Sequence, residues 1–385
     1  MRLMRFVLFP SFLATLSLIG CHQTQMQPLP GSAHPAYTIT DLGVGMPLAI
    51  NNQGQVVGHF PAGAFPNSNG FPYFHGCLWD KGKRIDMPTL GGWYSEARSI
   101  NDSRQIIGTA TVAGKGESDA DVTHTCLWDG HKLTDLQADP RFHRTSAIHI
   151  TKSGAVYAVS PPQPPKGQFH LWLYPSGFGP GVRRDVGVIG GPKIKPMFIN
   201  DSGMVVGTWK TGEKHNTTDT VGVQRAFVWH RGDRKWTDLG TFGGRDSEPA
   251  GLNNFGQVIG DAMLTDDPVT HIWRDHAFLW EKGKMQDLGT LAGGHRSRPC
   301  AINSKGQIIG YSDIKGNPLG SRPVLWEHGQ IKNLTKLIPS GTQWVGLDGA
   351  TGINDRGQIV GGGIVAYDEP KKGTYRSHAY LLTPR

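Results

Sequence analysis

Cysteine is scarce in this sequence: Cys21, Cys77, Cys126 and Cys300 are the only four. With Cys21 set apart at the end of a signal-like segment, three remain, and an odd number excludes a complete disulfide framework. Sustained 3.6-residue periodicity is also missing, and β-branched residues fill the apolar runs, which disfavours a helical solenoid. The chain carries a net charge of +8 but no single basic run, so nucleic acid is not an expected partner. There is no Gly-rich phosphate loop, nucleophile elbow or His-Glu zinc motif. No metal or cofactor is expected, and nothing establishes an enzyme.

What is present begins with an export signal. Arg2 and Arg5 precede the apolar run Phe6–Gly20, whose fifteen residues fall short of the roughly 20 that a membrane span needs. The run ends in Leu18-Ile19-Gly20-Cys21, which reads as a bacterial lipobox with Cys21 as the lipidated residue. An ordinary cleaved signal is the alternative. Residues 1–20 are therefore expected to be a lipoprotein signal peptide and 21–35, rich in Gln, Pro, Gly and Ser, a flexible tether. The bilayer would be a partner through Cys21. His22, not Asp, follows the Cys, which in enteric-type bacteria favours the outer membrane; the expected location is the outer membrane or cell surface. Loss of residues 1–20 removes Arg2 and Arg5 and no acid, leaving a charge of +6.

Glycine (53 residues), proline (26) and tryptophan (11) are plentiful, which suits many turns and a few large apolar anchors. They are organised in a repeat. Seven segments follow one pattern of an apolar residue, Asn, two residues, Gly (Arg104 in the second segment) and then an apolar run ending in a small residue. Their Asn positions are 51, 101, 151 (Thr), 200, 253, 303 and 354, a period near fifty. Each period holds four short strand candidates, shown best by His276–Trp280, Lys284–Gly289, Arg298–Asn303 and Gln307–Ser312. Asn303-Ser304-Lys305-Gly306 reads as a hairpin turn, with Gly supplying a positive φ and Asn closing an Asx-turn. Four hairpin-linked strands per unit make a propeller blade. The expected fold over 36–385 is all-β, a seven-bladed β-propeller of four-stranded blades. The strand Tyr37–Gly43 opens the chain and His378–Leu382 closes it, so pairing them would close the ring and remove an exposed edge.

Trp79, Trp128, Trp172, Trp229, Trp280 and Trp326 recur at one register of the first strand and read as core, as do Cys77 and Cys126 in the register of Phe227 and Phe278. Copy three departs most: Thr151 replaces Asn, Ala158 replaces Gly, and Gln168 stands where other copies have His. The segments Asp238–Gly244 (DLGTFGG), His276–Trp280 (HAFLW) and Ala301–Gln307 (AINSKGQ) resemble the HAF-type extracellular repeat, over roughly 36–385. The resemblance implies an extracellular setting and no common activity.

Loops alternate between the two faces of an up-and-down blade. The long segments 61–74, 109–123, 159–167, 208–224, 261–275, 311–321 and 362–377 should emerge on one face, together with the loops after the second strands. Function concentrates on loops held by a rigid scaffold. The candidate ligand-binding residues there are Trp93, Tyr94, Arg144, Lys193, Arg245, His295, Arg296 and Trp344, aromatics and cations that suit sugar stacking or anionic groups. His75, His124, His276 and His378, with Arg225 and Arg322, form a second series, read either as an anion or metal ring near the channel mouth or as backbone hydrogen-bonding groups. The Asp series 41, 86, 135, 185, 238 and 287 reads as turn capping. The expected function is that of a binding or scaffold propeller at the cell envelope, with an anionic polysaccharide or a protein as ligand. The alternative is a carbohydrate-active lyase or hydrolase, marked by convergent titratable groups in one pocket.

Overall fold

The computed structural model describes residues 35–66, 72–113, 123–130, 132–137, 146–160, 169–176, 182–188, 194–213, 222–265, 274–314, 317–366 and 375–385. The signal and tether segments lie outside the described residues. The strands form seven four-stranded antiparallel sheets. The first blade is β2 (Met46–Ile50), β3 (Val56–Pro66), β4 (Pro72–Asp80) and β5 (Lys83–Asp86); the second is β6 (Gly91–Ile100), β7 (Ile106–Val112), β8 (Thr123–Trp128) and β9 (Leu133–Asp135). The third is β10 (Ser146–Ile150), β11 (Val156–Ser160), β12 (His170–Tyr174) and β13 (Arg184–Val188); the fourth is β14 (Ile194–Ile199), β15 (Val205–Lys210), β16 (Gln224–Trp229) and β17 (Thr237–Asp238). The fifth is β18 (Gly243–Leu252), β19 (Val258–Leu264), β20 (Asp275–Glu281) and β21 (Lys284–Asp287); the sixth is β22 (Ser297–Ile302), β23 (Ile308–Ile314), β24 (Asn317–Glu327) and β25 (Gln330–Asn333). The seventh joins β26 (Trp344–Ile353), β27 (Ile359–Ala366) and β28 (Tyr375–Pro384) to β1 (Tyr37–Val44). The ring is therefore a closed seven-bladed propeller, fastened by β1 pairing with β28 from Tyr37↔Pro384 to Val44↔His378.

The blade boundary differs from the sequence reading. The strands β2, β6, β10, β14, β18, β22 and β26 meet their equivalents around the ring and are the innermost of each blade. One sequence period of four strands thus straddles two sheets: β20 and β21 end the fifth blade, while β22 and β23 begin the sixth. The long segments are consequently the loops between the second and third strands of one sheet. Several begin as strand, since β3 runs on to Pro66 and β27 to Ala366.

Every innermost strand shifts register at least once, as between Pro249 and Gly251 or Pro299 and Ala301. The repeat Gly of the second strand faces this bulge. A Cβ on Gly260 would lie 2.2 Å from the Glu248 carbonyl oxygen and 2.5 Å from Phe278 Cζ. Glycine is required there by close approach and not by its own dihedral angles. The residue across from it fills the space between blades, as with Cys77, Cys126, Phe227, Phe278 and Tyr380, all fully buried. Each core cluster joins neighbouring blades; one of them packs Val56, Cys77 and Trp79 of the first blade against Val360 and Ala379 of the seventh.

Copy three corrects the sequence register by two residues. Ala158 pairs with Trp172, Val156 with Tyr174 and Ser160 with His170. Tyr174 therefore holds the position of Trp128, Trp172 that of Cys126, and His170, not Gln168, that of His124. The shift is invisible to a Trp-anchored alignment because the larger residue sits one pleat earlier.

The turns that join first and second strands tie the ring together. Asn303 Oδ1 accepts from the Lys305 and Gln307 amides, closing the turn. Its Nδ2 donates to the Asn354 carbonyl in the next blade at 2.9 Å. The same link runs Asn51 to Asn101, Asn101 to Thr151, Asn200 to Asn253, Asn253 to Asn303, and Asn354 back to Asn51, at 2.9 to 3.1 Å. Only Thr151 has no side-chain amide to make the link onward to Asn200; its hydroxyl meets Ser153 at 2.9 Å instead. A second device recurs at the opposite ends of the inner strands. Ser95, Ser247 and Ser297 hydroxyls accept from the Gly76, Ala226 and Ala277 amides of the preceding blades.

Candidate functional site

The His series does not line the channel mouth. His124, His276 and His378 bond Asp135, Asp287 and Asp41 at 2.8 to 2.9 Å, and Arg225 meets Asp238 at 3.5 Å. These acids sit on the outermost strands, so the pairs are cross-strand clamps at the outer edge of the blades. The same acids cap turns, since Asp41, Asp135, Asp238 and Asp287 accept from the amides of Gly43, Gln137, Gly240 and Gly289. Among the described residues no group of three or more His, Cys, Asp or Glu is placed to hold a metal ion.

On the face of the long loops two polar clusters stand out. The first lies between the first and second blades. Trp93 and Tyr94 enter β6, and Tyr73 comes from β4 of the neighbouring blade; the Trp93 ring lies 5.4 Å from Tyr73 and 5.9 Å from Tyr94. Tyr94 donates its phenol to Glu96 at 3.1 Å, and Arg98 donates to the same carboxylate oxygen at 2.8 Å. Burial and then Glu96 raise the Tyr94 phenol. His59 stands 3.8 Å from Glu96, and burial lowers its ring below the usual histidine range.

The second cluster is a cleft of about 300 Å³ between the fifth and sixth blades, reached also by Gln224 of the fourth. Four carboxylates line it, Asp246, Glu248, Asp261 and Asp275, with the guanidiniums of Arg296 and Arg298. Arg296 bonds Asp275 at 2.7 Å; Arg298 lies 3.7 Å from Asp275 and 3.5 Å from Asp261. Asp261 is pushed up to about 7, chiefly by burial, with Glu248 and Asp275 adding to the rise against Arg298. Four carboxylates and two guanidiniums thus converge in one cleft.

The sequence candidates fall unevenly on this map. Arg144 and Lys193 lie outside the described residues. Trp93, Tyr94 and Arg245 are placed in strands and not in loops. Trp344 is not a surface ring: it is 2% exposed and meets Tyr380 edge-on at 5.9 Å, leaving no face for a ligand. It opens an innermost strand, where a large side chain fills the space between blades. His295 and Arg296 both donate their amides to the buried Asp313 at 2.8 Å, which fixes the approach to β22, and only Arg296 of the two lines the cleft. Glu248, Asp261, Asp275 and Arg298 were missed. Asp261 had a signal: it follows the repeat Gly260 where other copies place His59, Thr109, Thr208 or Tyr311, a carboxylate beside an apolar strand run.

No family model matches the sequence, and no curated protein matches it. Solved structures are similar in fold. One is the β-propeller domain of the trilobed protease from Pyrococcus furiosus, described as having an open velcro topology: TM-score 0.55 and 8% identity over 89% of this chain and 94% of that one. Others are the Pyrococcus horikoshii acylaminoacyl peptidase (TM-score 0.54, 8% identity, 88% of this chain and 51% of that one) and a puromycin-hydrolyzing peptidase from Mycobacterium tuberculosis (0.51, 12%, 91% and 55%). The chain spans about half the length of these two peptidases. Likeness at such identity is likeness of fold.

Proposed function

We propose that the chain is an exported lipoprotein, anchored through Cys21, whose propeller binds saccharide chains at the cell envelope on its long-loop face. The observation that carries this reading is the meeting of Tyr73, Trp93 and Tyr94 from two adjacent blades beside the Glu96–Arg98 pair. Aromatic rings offer apolar faces to sugar C–H groups while the flanking ion pair hydrogen-bonds hydroxyls. Arg98 and Arg245 would favour chains bearing carboxylate or sulfate. On a glycan array, Trp93→Ala should lose binding by tenfold or more with its melting temperature nearly unchanged; binding equal to the parent chain rejects the site. Cys21→Ser should release the protein from membranes, and an unmodified Cys21 found inside the mature chain would contradict the anchor.

The raised Asp261 favours a second reading, a carbohydrate hydrolase with Asp261 as general acid in the cleft. An activity screen on anionic and neutral polysaccharides tests it: turnover that disappears in Asp261→Asn supports catalysis, and turnover that survives the change assigns it elsewhere.

A further inference from the structure

We propose that the face of the propeller formed by the short turns docks on an anionic phospholipid bilayer, with Phe255 entering the lipid and the lysines and arginines of the surrounding turns meeting the headgroups. The proposal rests on the reading of Cys21 as the lipid anchor and adds the orientation of the anchored domain: turn face down, long-loop face away from the membrane.

The route of the chain places this face next to the anchor. In each blade the turns from first to second strand and from third to fourth share one face. The chain enters the ring there. Tyr37 pairs with Pro384, two residues past Leu382, and Leu382 pairs with Ile359, which begins β27 just after the 354–357 turn. Ala36 accepts from the Arg385 amide at the same end. Residues 21–34 link Cys21 to the first described residue, a length that reaches at most about 50 Å. To bring the opposite face to the bilayer, the link would have to pass the edge of the seventh blade, where β28 alone is ten residues, roughly 30 Å, long. With the turn face down, none of that length is spent.

The chemistry of the face fits the same partner. Phe255 is 71% exposed and Val182 45%, the two most exposed large apolar side chains among the described residues, and both lie in turns on this face. The fold does not ask for an apolar residue at the place of Phe255. The equivalent positions of the other first-to-second turns hold Gln53, Ser103, Ser153, Ser202, Lys305 and Arg356. Over those seven turns, from 51–54 to 354–357, and the third-to-fourth turns 80–83, 129–132, 230–236, 281–284 and 327–330, twelve Lys or Arg stand against eight Asp or Glu. Each of the eight acids accepts a hydrogen bond or ion pair within the protein, as Asp201 does from His149 and Glu327 from Lys332. Arg231, Arg234, Lys235, Lys284 and Lys305, from the fourth to sixth blades around Phe255, are exposed and make no ion pair among the described residues. An exposed ring encircled by unpaired cations suits insertion among anionic headgroups. A link as short as 21–34 holds the face at millimolar effective concentration over the bilayer, so a weak contact is enough to set the orientation.

The test uses chain 22–385, which keeps all seven sheets and lacks both the signal and Cys21, so its outcome does not depend on lipidation. It is floated with vesicles of phosphatidylglycerol and phosphatidylcholine at 3:7, and with phosphatidylcholine alone. We expect binding to the first, weakening steeply as salt rises from 0.05 to 0.5 M, and little to the second. Phe255→Ser, which installs the residue that three other turns carry, should weaken binding about tenfold. Lys284→Glu with Lys305→Glu should weaken it tenfold or more. Lys210→Glu, at the long-loop end of β15, should leave it unchanged. Equal binding to the two vesicles, binding to neither, or Phe255→Ser and the double reversal binding at parent strength overturns the proposal. So does self-association of the free chain that Phe255→Ser abolishes, which would assign the face to a second copy. A chain that passes this test while Cys21 is found unmodified in cells loses the anchor and keeps the face; a lipidated Cys21 with no vesicle binding by 22–385 does the reverse.

Discussion

Single residues carry the contacts between blades. Asn303 serves two backbone amides of its own turn and one carbonyl of the next blade. Asn303→Ala would strand those amides in a buried turn, at a cost of about 2–3 kcal/mol. Differential scanning calorimetry should show a melting point lower by several degrees. The converse change is Thr151→Asn, which supplies the amide missing from the belt and should add about 1 kcal/mol. A lower melting point for Thr151→Asn would show that the third blade's turn cannot accept the link. Glycines divide the same way. Gly260→Ala drives a methyl into the Glu248 carbonyl and the Phe278 ring, whereas Gly362→Ala meets nothing within 4 Å. The first should cost roughly 2–4 kcal/mol and the second under about 1, measured by denaturant unfolding. Asp261 bears on pH. Its folded value, about 7, lies above the roughly 3.9 of an unfolded Asp, so ionising it opposes folding and stability is lost as pH rises from about 4 through 7. Asp261→Asn should therefore raise the melting temperature at pH 8 and leave it nearly unchanged at pH 4.

Among elements, β1 is the one whose loss should matter most. It shields the outer edge of β28, and it supplies the Leu42 carbonyl to Trp79 Nε1 at 2.9 Å and Asp41 to His378. A chain beginning at residue 45 would expose that edge and loosen the contact between the first and seventh blades. Against a chain beginning at residue 35, it should melt at least about 10 °C lower and associate through the bare edge, seen by light scattering. Equal melting temperatures would mean that the closure adds nothing. The His–Asp clamps belong to this scale too. They tie third strands to outermost ones, and the same carboxylates cap the turns that follow, which gives the recurring polar residues a structural role.

At the scale of the whole molecule, acid sensitivity is spread around the ring. The hydrogen bond from His149 holds Asp201 below the usual carboxylate range. Burial opposes ionisation of Asp287, Asp355 and Glu327. Bonds from His276, from Ser304 and Asn52, and from Lys332 and Gln307, respectively, outweigh it and hold all three low. Groups with depressed values stabilise the fold above about pH 4, and that contribution is lost as pH falls below it. Asp261 acts in the opposite direction at higher pH. The melting temperature should therefore peak between about pH 4 and 6, and Asp261→Asn should flatten only the alkaline side. A peak at pH 8 in the parent chain would contradict the Asp261 assignment, and one below about pH 4 that of the depressed carboxylates.

The sequence alone determined the number of blades, the all-β class, the Asn-x-x-Gly turns and the pairing of the two chain ends, because each follows from local chemistry repeated at a fixed period. Gly supplies the turn, Asn closes it, and a half-unit at each end leaves one partner for the other. Three things were decided only by the tertiary structure. A periodic pattern has no marked origin, so which strand lies innermost depended on which strands meet around the axis, and the blade boundary moved by two strands. In the third copy Trp172 and Tyr174 are both plausible anchors to a reader of sequence, and only pairing with Ala158 and Val156 settled the register. The cleft was hidden for a related reason. Glu248 and Asp261 share a sheet, but Arg298 reaches them from a strand fifty residues after Glu248. Burial, a property of the assembled blades, is the largest cause of the raised Asp261 carboxyl.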